Sequence, residues 1–209
     1  MGGLREMTHP LVNHHLARLR DRDTAPTEFR QLLNRLARLL AYEATQDLAT
    51  KSVEVTTPLT TTTCQVLASQ VGLVPILRAG LGMVDPILEL IPTAEVWHLG
   101  VYRDEATAMP VEYYRKLPQT KPVDVALVLD PMLATGGSAT AALAALKSWG
   151  VQRVKLLSII AARAGVERVA AEYPEVTLHV CAVDPLLNEH KYIVPGLGDA
   201  GDRCFNTVR

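Results

Sequence analysis

The sequence is poor in the features that mark several large protein classes. Its three cysteines, Cys64, Cys181 and Cys204, are far apart and form no C-x-x-C pair. A disulfide framework or a paired-cysteine metal site is therefore not indicated, and free thiols in a reducing compartment are expected. The histidines at 9, 14, 15, 98, 179 and 190 match no H-E-x-x-H or similar metal pattern. Lysine and arginine (21) are balanced by aspartate and glutamate (22), for a net charge of −1, so no basic excess marks a nucleic-acid binder. No apolar run reaches the roughly 20 residues of a membrane span. The opening "MGGLREMTHP" carries charges where a signal peptide would be apolar. A cytoplasmic protein without a membrane partner is expected. Repeats and low-complexity tracts are also lacking, "TTPLTTTT" at 56–63 being too short to count.

What is present suits one α/β domain of 209 residues. Residues 24–48 have helical periodicity, with Phe29, Leu32, Leu33, Leu36, Leu39, Leu40 and Ala44 on one broad face and Pro26 in the first turn. Preceding the first strong strand signal, this helix reads as a peripheral arm or an interface. Apolar strand-like runs follow at 71–80, 95–103, 123–130, 153–162 and 176–184, with helix-like stretches at 80–91, 136–150 and 165–173. Near-continuous apolar strands alternating with helices predict a parallel sheet covered on both faces. Ligands bind such sheets at the carboxyl ends of the strands, where Arg78, Arg103, Asp130 and Asp184 stand. Residues 104–121, with Pro110, Pro118 and the Tyr113-Tyr114 pair, predict a β-hairpin or a lid rather than a helix.

The richest stretch is "VALVLDPMLATGGSATAALAALKSWG" at 125–150. A buried strand ends in Asp130, and a loop with Thr135, Gly136, Gly137 and Ser138 opens directly into a helix. Such a loop aims backbone N–H groups and the positive end of a helix dipole at one point, and glycines let an anion come close. The two hydroxyls add donors. No lysine follows Gly137, so this is not the triphosphate loop G-x-x-x-x-G-K-[ST]. A monophosphate held by neutral donors fits better. Asp130 is placed to accept from vicinal sugar hydroxyls, so the implied ligand is a sugar phosphate.

These residues resemble a known family. "VLDPMLATGGSA" is similar to the phosphoribosyl-pyrophosphate (PRPP) loop of type I phosphoribosyltransferases, in the form used by the uracil phosphoribosyltransferase branch. Pro131 stands where many relatives carry a second acid, as is the habit of that branch. "HPLVNHHLARLRDRDT" and "LLAYEATQDL" resemble its amino-terminal arm, "VPILRAGLGMVD" and "YRDEATAMPVEYYRKLP" its pyrophosphate-side segments, and "LNEHKYIVPGLGDAGDR" its uracil loop. Pro86 departs from the family, which has glycine after Val-Asp. The resemblance implies an α/β phosphoribosyltransferase-type fold with three parts: a helical arm over 1–50, a core sheet with helices over 70–185, and a base-binding hood loop over 186–209.

The resemblance further implies transfer of phosphoribose from PRPP to uracil with Mg²⁺, the ion being held mainly through substrate and water. PRPP contacts would come from Arg78, Arg103, Asp130, Pro131, Met132, Leu133, Ala134, Thr135, Gly136, Gly137, Ser138 and Asp199. Uracil contacts would come from Ile193, Gly198, Asp199 and Ala200. Asp130, Arg103 and Asp199 are the candidate catalytic groups, and whether Asp199 acts as a base is open. Dimers or larger homo-oligomers and a GTP effector are family habits, although no residue set here carries the latter. A nucleotide-sensing regulator of the same fold, an enzyme for another nucleobase and a non-catalytic paralogue are the alternatives.

One pattern points elsewhere. Gly196, Gly198 and Gly201 spell the G-x-G-x-x-G of a dinucleotide loop. Pro195 precedes it, and only eight residues follow Gly201, too few for the helix and later acidic residue that fingerprint needs. The glycines are instead expected to bring backbone to the edge of a flat base.

Overall fold

The computed structural model describes residues 2–103, 110–115, 117–118 and 121–207; for 101–103, 110–112 and 115 it describes the backbone alone. In chain order, strand β1 (Gly3–Glu6) leads to helices α1 (Pro10–Arg20) and α2 (Pro26–Ala44), and then to strands β2 (Thr50–Thr56), β3 (Thr61–Leu67) and β4 (Val71–Leu77). A 3-10 turn (Ala79–Met83) runs into α3 (Val84–Leu88), followed by β5 (Glu95–Val96), β6 (Leu99–Arg103), β7 (Pro110–Arg115), β8 (Val125–Leu129) and β9 (Met132–Leu133). The remainder is α4 (Gly137–Trp149), β10 (Arg153–Ala162), α5 (Arg163–Glu172), β11 (Thr177–Asp184), β12 (Leu186–Leu187), β13 (Ile193–Val194) and α6 (Ala200–Phe205).

The apolar runs are continuous because both faces of their sheet are covered. The main path is β1-β11-β10-β8-β4-β6-β7, with β5 beside β4 and β9 beside β10. Every pairing is parallel except β6 with β7. On one face lie α1, α2, α3 and α6, sharing a core with Leu73, Leu127, Leu157 and Ile159. On the other face α4 and α5 pack Leu143, Leu146 and Val169 against Val74, Val128 and Leu156. This is the expected α/β architecture. Strands β4, β8, β10 and β11 end on the same side of the sheet. Among the described residues, no helix is long and apolar enough to cross a membrane.

The helix over 24–48 packs one face into the main core rather than projecting as a peripheral arm. Phe29, Leu32, Leu33, Leu36, Ala37, Leu40, Ala41 and Ala44 of α2 are all buried in the main core. Its carboxyl end has no basic residue of its own in the last turn. The buried Lys155 of β10 supplies the charge instead, donating to the Ala44 carbonyl at 2.5 Å and pairing with Asp47. The predicted helix over 80–91 is a 3-10 turn followed by the five residues of α3. Pro86 is the third residue of α3, where the missing N–H has no intrahelical acceptor to lose. The predicted hairpin after β6 is present in its strands, β7 running antiparallel to β6, while residues 104–109 lie outside the described residues.

Candidate active site

A cleft of about 680 Å³ opens at the carboxyl ends of the strands, within the usual size of small-molecule sites. Its floor is the loop from Asp130 to Ala139, Arg78 lies at one side, and residues 190–193 with Gly198 and Asp199 face it. Two chain segments that are far apart in sequence thus converge on the phosphate-type loop.

The loop has the geometry of an anion cradle. Gly136 is the N-cap of α4 with φ +80°, a conformation that L side chains rarely adopt, and no side chain caps the helix. The first turn holds no acidic residue. The free N–H groups of a 13-residue helix therefore face the cleft with their partial positive charge uncompensated. The loop is held from behind by Gly165 of α5. A Cβ there would lie 2.5 Å from the Ala134 carbonyl oxygen, so the helix and the loop touch backbone to backbone.

Asp130 stands beside this cradle, at the end of β8, accepting from the Met132 N–H at 3.3 Å. Burial pushes its carboxyl up to about 7, and the Met132 hydrogen bond only partly opposes that shift. Arg78, just past β4 across a cis Leu77–Arg78 peptide, is half-exposed and donates to Asp202 at 3.1 Å. A Cβ on Gly80 would collide with the Leu129 carbonyl oxygen. That close approach brings the Arg78 turn against the strand that delivers Asp130.

The facing wall is a ribbon and a turn. β12 and β13 pair antiparallel, and the chain returns through a cis Val194–Pro195 bond, Gly196 (φ +63°) and Gly198 (φ +80°) to α6. Asp199 caps α6, its Oδ1 accepting from the Asp202 N–H at 2.9 Å. The third glycine of the dinucleotide-like pattern, Gly201, lies inside a helix of six residues. Gly198, the second glycine of the pattern, lines this cleft.

A family model described as uracil phosphoribosyltransferase matches residues 6–207. The chain belongs to the uracil phosphoribosyltransferase family. A uracil phosphoribosyltransferase of Roseiflexus sp. (strain RS-1) is 59% identical over 199 residues, covering 95% of this chain and 96% of the relative. One of Bacillus cereus (strain B4264) is 51% identical over 208 residues, covering 99% of this chain and all of its own. The solved structure of the AQ2163 protein from Aquifex aeolicus superposes with a TM-score of 0.92 at 38% identity, over 97% of this chain and 98% of that one. The expectation drawn from the PRPP-type loop, a uracil phosphoribosyltransferase of α/β fold, is therefore met.

Within this family member, the predicted residues are placed as follows. Arg78, Asp130, the run Met132 to Ser138, Ile193, Gly198 and Asp199 line the one cleft. Pro131 is buried behind the loop, where its carbonyl accepts from Ile159 and Ile160. Ala200 is buried behind Asp199 as the first residue of α6. Arg103 ends β6, and its side chain lies outside the described residues. Asp184, grouped at the sequence level with the strand-end functional charges, points into the protein instead and is ion-paired with Arg20. His190, Lys191 and Tyr192 also line the cleft, and their place next to Ile193 was the signal that would have included them. Gly165 and Arg20 carried no local signal at all.

Proposed function

We propose that this cleft transfers the phosphoribosyl group of 5-phosphoribosyl 1-pyrophosphate to uracil, giving UMP and pyrophosphate. One observation carries the reading: an uncapped helix N-terminus and the half-buried carboxylate of Asp130 face a glycine turn across a single cleft. That pairing suits a 5′-phosphate with ribose hydroxyls on one side and a flat, edge-polar base on the other.

The 5′-phosphate seats on the N–H groups of residues 135–138, with the Thr135 and Ser138 hydroxyls beside them. Asp130, once ionised, accepts from the ribose hydroxyls and offsets positive charge at C1 as the C1–O bond to pyrophosphate breaks. The bonding pair leaves with pyrophosphate, toward Arg78 on the side of the cleft; the family resemblance adds Arg103, and a guanidinium fork matches paired phosphate oxygens. N1 of uracil attacks C1, and its proton passes to the departing pyrophosphate or to water. Backbone groups near Ile193, Gly198 and Ala200 read the O2, N3–H and O4 edge, which disfavours cytosine because its amino group meets a donor. Asp199 stands at the border of the two substrates, with one oxygen engaged by α6. The carboxylate of Asp130 is the hard oxygen donor of the cleft floor that fits Mg²⁺ through water. When bound, the ion neutralises the departing pyrophosphate. A homo-oligomer and a GTP effector enter by family habit.

The test is release of pyrophosphate from PRPP and Mg²⁺ with each nucleobase in turn. Uracil alone should support turnover. Arg103→Ala should raise KM for PRPP by about tenfold or more while leaving uracil binding within twofold, in line with loss of a charge-assisted contact. Turnover with a purine, or unchanged PRPP kinetics in that variant, would contradict the assignment. Sedimentation and a GTP titration of the initial rate check the remaining two expectations.

A further inference from the structure

The turn that faces the phosphate loop is held in place by a charge pair whose members lie outside the cleft. Arg20, the last residue of α1, makes two 2.7 Å contacts to the carboxylate of Asp184, one to each oxygen. Asp184 is the last residue of β11 and is buried, in register with Ala162 on β10, so it belongs to the rigid sheet. Both partners then reach the turn. Arg20 Nη1 donates to the Gly196 carbonyl at 2.7 Å, and the Gly196 N–H donates to Asp184 Oδ2 at 3.0 Å. The peptide groups on both sides of Gly196 are thereby fixed to the sheet and to α1. A second arginine ties the next residues to the same helix end. Arg203 donates to the carbonyls of Leu197 (2.7 Å), Leu19 (2.9 Å) and Asp21 (2.5 Å).

Besides these two arginines, the turn is anchored by Ile193, Leu197 and Ala200, whose side chains are buried in the main core, but those apolar contacts set no hydrogen-bond geometry. Upstream, the ribbon β12–β13 has only two residue pairs, and a ribbon that short is marginal without further support. Ile193, Gly198 and Asp199 line the cleft on either side of Gly196. Their backbone positions depend on where Gly196 is held, together with the buried side chains of Ile193, Leu197 and Ala200. A bidentate guanidinium–carboxylate pair is directional and largely pre-organised, which suits a part that must present backbone groups to within a fraction of an ångström.

We propose that Arg20 and Asp184 are positioning residues for the base subsite, holding the 193–199 turn in the geometry that binds uracil while leaving the PRPP subsite to the 130–138 loop. This rests on the assignment of that turn to uracil, and the experiment separates the two. Arg20→Lys keeps the charge and loses the fork; Asp184→Asn keeps the shape and loses the charge. Gly198→Ala alters the turn directly, at a φ of +80° that alanine tolerates poorly. For each, KM and kcat are measured for both substrates, and PRPP affinity is measured by calorimetry with uracil absent.

The expected result is a rise of about tenfold or more in KM for uracil in Arg20→Lys and Asp184→Asn, with PRPP affinity within twofold of the parent. Arg20→Lys should be the milder of the two. Native PRPP affinity in each variant also serves as the check on folding. If Gly198→Ala raises KM for uracil and the two clamp variants do not, the positioning role is overturned and the uracil assignment stands. If the clamp variants weaken both substrates equally, the pair is merely structural and the proposal fails. If none of the three changes KM for uracil, the assignment of the turn fails and takes the proposal with it.

Discussion

Asp130 is subject to two conflicting demands. Its burial holds the carboxyl near pH 7, yet its proposed work needs the ionised form. Ribose hydroxyls that donate to it would favour ionisation, so on the proposed reading protons and PRPP compete for one state. The kcat/KM for PRPP should therefore fall about tenfold per pH unit below pH 7 in the parent, as a single titrating group requires. Asp130→Asn should lose most turnover and lack that acid limb. The same variant should be at least as stable as the parent by thermal melting at pH 8, since it removes a buried charge that only the substrate needs. A less stable variant with normal turnover would show that the carboxylate serves the fold. The other candidate carboxylate, Asp199, differs because one of its oxygens already caps α6, so its substitution mixes a cap effect with any chemical one.

At the scale of elements, the site depends on contacts that no local pattern reveals. The cradle residues form a contiguous run and are legible as a strand, a glycine loop and a helix. The central strands are legible for a similar reason, since burial on both faces leaves only apolar residues along β4 and β8. Gly165 is different: its importance lies in the Ala134 carbonyl, 31 residues back and on another element. Gly165→Ala should push the loop away from its seat and cut kcat/KM for PRPP by about 100-fold, the scale of a misplacement near 1 Å, with unchanged affinity for uracil by equilibrium dialysis. Arg20 is hidden for the same reason, its partners being 164 and 176 residues away. Strand β1 is exposed along its whole length and so shows no alternation. The β2–β3 hairpin is exposed or only half-buried along both strands; its threonine-rich turn read merely as a short polar tract.

For the whole molecule, two buried groups set opposite pH dependences of stability. Asp130 has its folded pKa raised from 3.8 to about 7, so between those values the folded state holds more protons and stability falls as pH rises. His179 in β11 is buried with neither ring nitrogen hydrogen-bonded, and burial, helped by the charges of Lys155 and Arg5, lowers it to about 4. Between about 4 and 6.5 the unfolded state therefore holds the extra proton at His179, and stability rises with pH. The two slopes, each up to about 1.4 kcal/mol per pH unit, oppose one another over most of that window. Urea unfolding from pH 4.5 to 6.5 should therefore show a more positive slope for Asp130→Asn than for the parent, and a more negative one for His179→Phe. Parallel curves for all three would refute this balance.

The clasp on the glycine turn also has a consequence for the order of synthesis. Arg20 leaves the ribosome 176 residues before Gly196, a delay of roughly 10–35 s at about 5–20 residues per second. The phosphate loop and every strand of the main sheet except β1 are translated within that interval. A nascent chain therefore holds every residue of the phosphate loop long before it holds the turn that faces that loop.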